Sequence, residues 1–174
     1  MNTKDLFANA LLLLLNQYNY KEITITQIAQ EANLSRKTFY RTFEGKDELL
    51  QYIFTSLYKQ CENEIVDNKA QHYWDVVQCY FDFWESHKNL LDLLNNSGLL
   101  PLFFDNAYQF SFKIFEYIRS KEVSDYLSSE LPYLLAYSVG GMHSMLLKWV
   151  EDDMKVDSKI IIHRLKKGFK SLQI

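Results

Sequence analysis

The chain has 174 residues, of which 48% are hydrophobic; this is enough to form a sizeable core and excludes a disordered polymer. Only 5 glycines and 2 prolines interrupt it, so the composition favours long helices over a many-stranded sheet. The formal net charge of -3 excludes a generally basic nucleic-acid binder, and any such binding has to be confined to a local patch. We therefore expect an all-α fold.

The first helix is predicted from Thr3 to Tyr18 and contains the apolar stretch 6–15. That stretch resembles the core of a signal peptide. It is too short to cross a bilayer, and the polar residues after it offer no small-residue cleavage site. We interpret it as a buried helix and expect a cytoplasmic protein without membrane contact.

Two short helices follow in the sequence. The first is predicted over Gln27–Ala32, with Thr26 as its N-cap, and the second over Arg36–Phe43, with Ser35 as its cap. A tight turn at Asn33 joins them, because Asn tolerates the left-handed conformation that such a turn requires.

Later helices are predicted at Lys46–Val66, Tyr73–His87, Leu90–Leu94, Leu102–Arg119, Glu130–Trp149 and Asp157–Leu172, the last capped by Asp157 or Ser158. A boundary at residue 46 divides the chain into a three-helix head, residues 1–46, and a helical body, residues 47–174.

The segment from Ile25 to Phe43 predicts a helix-turn-helix. Two short helices joined by a tight turn cross steeply, so the second projects from the body and can enter a major groove. The apolar positions are spaced to form a small core, in which two alanines allow the helices to approach closely. These positions are Ile28, Ala29, Ala32, Leu34, Phe39 and Phe43.

The second short helix and its surroundings are locally basic. Between residues 33 and 46 there are four basic side chains and one acidic side chain, a local charge of +3 within an acidic protein. Arg can bind guanine bidentately, the first residues of a recognition helix lie closest to the bases, and helix N-termini offer N–H groups to phosphates. The candidate DNA-contacting residues are Thr26, Arg36, Lys37, Thr38, Tyr40, Arg41, Thr42 and Lys46.

Residues 25–50, ITQIAQEANLSRKTFYRTFEGKDELL, together with a preceding helix of the right length, resemble the TetR family of transcription regulators. The resemblance implies that Arg36, Lys37 and Thr38 face bases. It implies that Tyr40 and Lys46 hold the DNA backbone, with further backbone contacts from Thr26, Arg41 and Thr42.

The sequence departs from the family pattern at three positions. Asn33 replaces a common glycine, Thr42 a common histidine, and Gly45 a usual Ser or Asn cap. Asn and Gly are acceptable at these positions and leave the fold intact. Lys37 and Thr42 leave the assignment of base-reading residues open.

Gly140 and Gly141 lie in the middle of an apolar predicted helix, where each glycine costs about 1 kcal/mol relative to alanine. Close approach of another helix would explain this cost, although a kinked core helix of a monomer fits the same pattern. By the resemblance, the last two helices pair with those of a second copy in a four-helix bundle. The predicted dimer interface comprises Leu135, Val139, Gly141, Met142, Met145, Ile161 and Leu165.

Aromatic residues make up 16% of the chain and are frequent in the middle helices, where members of the family hold a ligand. Aromatic-lined cavities suit apolar or flat ligands, but aromatic residues at helical spacing also form ordinary core. The predicted ligand pocket comprises Tyr80, Phe83, Trp84, Phe103, Phe104 and Phe110.

The sequence thus predicts a DNA-binding transcriptional regulator, a ligand-responsive repressor that binds a palindromic double-stranded operator as a homodimer. A helical protein–protein interaction module and a thiol sensor based on Cys61 and Cys79 are the alternatives. Scattered histidines, no phosphate loop and no nucleophile motif argue against an enzyme, and no Cys/His spacing fits a metal, so we expect no cofactor. Repression rests on the resemblance alone, and the sequence specifies neither operator nor effector.

Overall fold

A computed structural model describes residues 2–105, 107–118 and 127–171. All regular structure in these ranges is helical, which confirms the all-α prediction. The helices are α1 (Thr3–Leu15), α2 (Ile25–Glu31), α3 (Arg36–Thr42), α4 (Lys46–Asp67), α5 (Tyr73–Ser86), α6 (Lys88–Asn96), α7 (Leu100–Phe104), α8 (Ala107–Ile118), α9 (Leu127–Glu151) and α10 (Ser158–Ser171).

The chain divides into two compact units. The first comprises Met1–Lys59 and Leu93–Leu99, and the second comprises Gln60–Asp92 and Leu100–Ile174. The predicted boundary at residue 46 coincides with the start of α4, whereas the first unit includes more than half of that helix. The functional division at residue 46 stays a prediction.

The core of the first unit is built around aromatic rings from α1 and α3. Phe7 and Phe39 are fully buried, with ring centroids 5.1 Å apart and planes at 74°. Phe43 lies 5.8 Å from Phe39, and the aliphatic side chains of Leu11 and Ile28 are also fully buried. Complete burial of such side chains contributes about 1.5–3 kcal/mol each, so this core fixes α3 on its supporting helices.

Side-chain caps define where α2 and α3 begin. Thr24 accepts a hydrogen bond from the backbone N–H of Gln27 at 3.2 Å, and Gln27 Oε1 accepts from the N–H of Thr24 at 2.8 Å. The predicted N-cap at Thr26 is therefore wrong, because Gln27 stands at the third helical position from Thr24 and completes a capping box. The predicted cap at Ser35 is confirmed: its Oγ accepts from the N–H of Thr38 at 3.0 Å.

Some predicted helix limits differ from the structure. The first helix ends at Leu15 rather than Tyr18, and the single helix expected from residue 102 to 119 is wrong, since α7 and α8 are separate. Aspartate is a poor helix former, and α7 ends just before Asp105. The predicted helix ends at Arg119 and Leu172 lie outside the described residues.

In the second unit a part-buried polar cluster joins the start of α10 to α5. Ser158 is fully buried, its Oγ donates to Asp82 Oδ1 at 2.5 Å, and its N–H donates to Glu85 Oε1 at 3.2 Å. Asp157 accepts from the N–H of Lys159 at 2.8 Å, as expected of a residue at the start of a helix. These bonds fix the position of α10 along α5.

Candidate nucleic-acid interface

The turn between α2 and α3 has the predicted left-handed residue. Asn33 has φ 54°, and its N–H donates to the carbonyl of Gln30 at 3.0 Å. The N–H of Leu34 donates to the carbonyl of Ala29 at 2.9 Å, which closes the end of α2. The prediction of a tight turn at Asn33 is confirmed, and the turn fixes the direction in which α3 leaves α2.

Helix α3 has one buried face and one cationic face. Phe39 is buried, whereas Arg36, Lys37 and Arg41 are exposed and Tyr40 is 53% exposed. None of these three cations forms an ion pair within the described ranges of the chain. Their charges are therefore free to attract an external anion such as a DNA phosphate.

Two of the three threonines predicted to contact DNA, Thr38 and Thr42, already form hydrogen bonds within the protein. Thr38 Oγ1 lies 2.9 Å from Ser35 Oγ, and Thr42 Oγ1 donates to the carbonyl of Thr38 at 2.8 Å. Both residues are half-buried, whereas Thr26 is exposed in the first turn of α2. Of the three, Thr26 is the most open to a phosphate.

Lys46, also predicted to bind the DNA backbone, is held by the protein itself. Its Nζ donates to the carbonyls of Tyr20 and Ile23, the latter at 2.8 Å, and reaches the carbonyl of Lys21 at 3.4 Å. It also lies 4.4 Å from the centroid of the Tyr20 ring. Burial lowers the pKa of Lys46, and the neighbouring Asp47 carboxylate opposes that effect.

Tyr20 and Asp47 complete this contact between the loop after α1 and the start of α4. The Tyr20 hydroxyl donates to Asp47 Oδ1 at 2.5 Å, and burial followed by this bond raises the pKa of Tyr20. Sequence reasoning missed both residues. Because Lys46 is 23 and 26 residues away from the carbonyls it binds, local spacing carries no signal for the contact.

The aromatic residues predicted to line a ligand pocket form a packed cluster in the second unit. Phe83, Trp84 and Phe103 are almost completely buried, and the Trp84 ring lies 5.1 Å from Phe83 and 5.3 Å from Phe103. Phe104 lies 5.4 Å from Phe103, and Tyr80 lies 6.5 Å from Trp84. This packing makes them core residues. A ligand among them, or beside the half-buried Phe110, stays a prediction.

The residues predicted to form a dimer interface differ in exposure. Leu135 is buried within the chain, and its place in a dimer interface stays a prediction. Gly141 is exposed, and a Cβ added there or at Gly140 would meet nothing within 4 Å. The five remaining predicted residues are half-buried: Val139, Met142, Met145, Ile161 and Leu165.

Larger side chains that were not predicted dominate the exposed face of α9. Tyr133 is 76% exposed, Leu134 49% and Tyr137 68%. On the neighbouring helix in sequence, α10, Ile160 is 47% exposed. Exposed apolar side chains grouped on one helix are typical of a surface that contacts another protein.

The described ranges of the chain contain neither a metal-binding cluster nor a membrane-spanning helix. No group of three or more His, Cys, Asp or Glu side chains there could hold a metal ion. No helix in those ranges is long and apolar enough to cross a membrane.

The geometry of the first unit defines a class of protein. A short helix that is anchored by buried aromatic rings, joined by a left-handed turn and exposed on a cationic face is the recognition element of helix-turn-helix DNA-binding proteins. Residues 9–53 match the bacterial regulatory proteins of the tetR family. The helix-turn-helix region of the chain is therefore similar to that of the TetR family of DNA-binding transcriptional regulators.

Two curated relatives and one solved structure extend this result. The chain is 32% identical over 72 residues to the HTH-type dhaKLM operon transcriptional activator DhaS of Lactococcus lactis, an alignment over 41% of this chain and 37% of that protein. It is 26% identical over 136 residues to the uncharacterized HTH-type transcriptional regulator YhgD of Bacillus subtilis, over 75% of this chain and 68% of that protein.

The solved structure is a transcriptional regulator of the TerR/AcrR family from Aquifex aeolicus. It is similar over 98% of this chain and 99% of that chain, with a TM-score of 0.63 and 19% identity. This similarity extends the shared fold beyond the helix-turn-helix to the helical body.

Proposed function

We propose that the protein represses transcription by binding a palindromic operator as a homodimer, and that a small molecule releases it. The observation that carries the proposal is the cationic face of α3, where Arg36, Lys37 and Arg41 are exposed without an ion pair in the described ranges. Phosphate binding by such side chains releases counterions and supplies most of the affinity for duplex DNA.

The residues of α3 divide by position into base-reading and backbone-binding groups. Arg36 and Lys37 are the first two residues of the helix, which is the end that lies closest to base edges in the major groove. Arg41 and the exposed Tyr40 hydroxyl are one turn further along and would bind phosphates. Arg36 is the residue best suited to a guanine, because its guanidinium can donate two hydrogen bonds to one base.

A homodimer follows from the geometry that operator recognition requires. Two recognition helices must be about 34–36 Å apart to enter successive major grooves, and a two-fold interface supplies such a spacing. The exposed aromatic and apolar face of α9, with Tyr133, Leu134 and Tyr137, supports an interface there. The open space around Gly141 would admit the backbone of a partner helix.

Release by an effector is a matter of linkage between two conformations. A ligand that binds more tightly to a conformation with the wrong spacing of recognition helices lowers the affinity for the operator by the ratio of its two affinities. Helix α4 starts next to α3 and continues into the second unit, so a change in its direction would move the recognition helix.

Selection of bound sequences from random duplex DNA, followed by titration at several salt concentrations, tests the DNA-binding part of the proposal. We expect a two-fold symmetric site and an affinity that falls steeply with salt. Arg36→Ala should relax base preference at one position in each half-site and weaken binding about 10- to 100-fold per base contact.

The matched control is Lys59→Ala, which removes one exposed charge from α4 about 20 Å along the helix from its start. This variant should bind the selected site as the wild type does. A shallow salt slope, or equal losses in both variants, would refute the assigned DNA contacts of α3 and favour the alternative of a protein-binding module.

The dimer is tested with Gly141→Leu. The open space at Gly141 lets a single chain fold with the larger side chain, whereas a partner helix packed against Gly141 would clash with it. We expect sedimentation to show weaker self-association and circular dichroism to show an unchanged helix content. Asn89→Leu adds the same side chain to the exposed surface of α6 and serves as the control. Unchanged association of Gly141→Leu would place the interface elsewhere.

Repression rather than activation is decided by a reporter gene placed behind the selected operator. Deletion of the regulator should raise expression if it represses, and lower expression if it activates as the name of DhaS states for that protein.

A further inference from the structure

An open cleft lies in the second unit among the start of α5, the middle of α9 and the last turns of α10. Its volume is ≈ 490 Å³. None of its lining residues was predicted to bind a ligand or DNA. They are Tyr73, Trp74, Tyr137, Ser138, Lys166, Phe169 and Lys170.

Aromatic rings form the walls of the cleft. The Trp74 ring lies 5.1 Å from Tyr73 and 5.7 Å from Phe169, so residues of α5 and α10 meet there. The Tyr73 hydroxyl is hydrogen-bonded to Ser138 of α9, and burial raises the pKa of Tyr73. Tyr137 borders the cleft from α9, on the face that supports the proposed dimer interface. The cleft is thus shaped for a flat apolar body.

Two cations stand on one side of these rings. Lys166 and Lys170 are one turn apart on α10, and Lys166 Nζ lies 5.7 Å from the Trp74 centroid. Neither lysine forms an ion pair with a residue that the structure describes.

The nearby carboxylate does not neutralise both charges. Asp75 Oδ2 accepts from the N–H groups of His72 and Gln71 at 3.0 and 3.2 Å. These bonds, with a smaller contribution from the charge of Lys166, lower the pKa of Asp75. The two ammonium groups of Lys166 and Lys170 outnumber the single carboxylate of Asp75, which already accepts two backbone hydrogen bonds. These three groups together carry a net positive charge.

We propose that this cleft binds a small aromatic carboxylate. The rings of Trp74 and Phe169 would contact its flat body, and the ammonium groups of Lys166 and Lys170 would pair with its carboxylate. The volume lies within the range of about 300–1,000 Å³ that small-molecule sites occupy. The cleft lies within one compact unit, and the four residues that would contact the ligand are not among those assigned to operator recognition or to the dimer interface.

Titration with 2-naphthoate tests the proposal, with the neutral isostere 2-naphthamide as the comparison ligand. Tryptophan fluorescence and calorimetry follow binding, since Trp74 borders the cleft while Trp84 and Trp149 are buried. We expect saturable 1:1 binding per chain of 2-naphthoate, and binding of 2-naphthamide that is weaker by about tenfold or more, as loss of a charge-assisted contact implies. Trp74→Phe should remove most of the fluorescence change, because it removes the one tryptophan that borders the cleft within the described ranges.

The double variant Lys166→Met, Lys170→Met should weaken 2-naphthoate binding by about tenfold or more and leave 2-naphthamide binding within about twofold. The control Lys159→Met, Lys167→Met removes the same charge from exposed positions of α10 outside the cleft, and should bind both ligands as the wild type does. Circular dichroism of both double variants verifies folding.

No saturable binding to the wild type, equal affinity for the two ligands, or equal loss in both double variants would overturn the proposal. Loss of binding as the protein concentration rises through the range of self-association would also overturn it, since a second copy would then occupy the cleft. Operator affinity is measured without the ligand, so a negative result in the 2-naphthoate titration leaves the proposed function unaffected.

Discussion

Substitution of Lys46 by Met separates two roles that this residue could have. The resemblance to the TetR family implies a contact with the DNA backbone, whereas the structure places Nζ against backbone carbonyls of Tyr20, Lys21 and Ile23. Met keeps a long apolar stem and removes only the charged donor. We expect Lys46→Met to lower stability and to leave the number of phosphate contacts unchanged.

The magnitude follows from the contacts of Nζ. Hydrogen bonds from a charged donor contribute about 1.5–3 kcal/mol each, and the half-exposed position favours the lower value for the bonds to Tyr20 and Ile23. The bond to Lys21 is long, at 3.4 Å, and adds little. A cation in the first turn of α4 opposes the helix dipole by about 0.5 kcal/mol. The expected loss is therefore about 2–3 kcal/mol in the free energy of unfolding.

Urea unfolding and the salt dependence of operator binding measure the two roles independently. Lys46→Met should lower the unfolding midpoint and keep the slope of log K against log salt. Arg41→Ala should keep the midpoint and reduce the slope by about 0.9 per chain, the value for one lost phosphate contact. A variant at Lys46 with wild-type stability and a reduced slope would refute the structural role.

The remaining predictions concern one cap, one thiol, one buried hydroxyl and one carboxylate. Ser35→Ala should destabilise the protein by about 1 kcal/mol in urea unfolding, because the N–H of Thr38 loses its acceptor; an unchanged midpoint would contradict the cap. Burial raises the pKa of Cys61 to about 12, so a thiol reagent at pH 7 should label it only after unfolding, and rapid labelling of the native protein would revive the thiol sensor. Ser158→Ala should cost about 2 kcal/mol, because the part-buried Asp82 carboxylate loses a donor, whereas the exposed Ser171→Ala should cost almost nothing; similar losses would argue against the cluster. The lowered pKa of Asp75 means that its stabilising effect is present above the unfolded value of about 3.9 and is lost as pH falls through the folded value. Asp75→Asn should therefore reduce the thermal midpoint at pH 7 and reduce it progressively less as the pH is lowered through the folded value; a pH-independent difference would contradict this assignment.

Features set by neighbouring residues were predictable from the sequence. The cap at Ser35 and the left-handed turn at Asn33 depend on contacts within a few residues, and the burial of Phe39 follows from its spacing along a helix, although it packs on Phe7 of α1. All three predictions are confirmed. The N-cap at Thr26 was wrong even though the signal is local, because Thr24 is an equally good cap and only Gln27 distinguishes the two.

Features that depend on distant segments were not predictable in this way. Lys46 and Ser158 form hydrogen bonds with residues that are far apart from them in the chain. Hydrophobic periodicity does not indicate which polar side chain will be buried. The aromatic cleft was not predictable for the same reason, because its lining residues come from three separate helices, α5, α9 and α10. Within each helix alone, these residues resemble ordinary core or surface residues.

The two faces of α3 have different consequences for evolution. Phe39 supports the fold, whereas Arg36, Lys37 and Arg41 are exposed and have no ion pair in the described ranges. Substitutions at such surface positions usually change stability by no more than about 0.5 kcal/mol. On the proposed assignment, a gene duplicate could therefore acquire a new operator through changes at Arg36 and Lys37 while its fold stayed intact, so that targets can diverge faster than structures among related regulators.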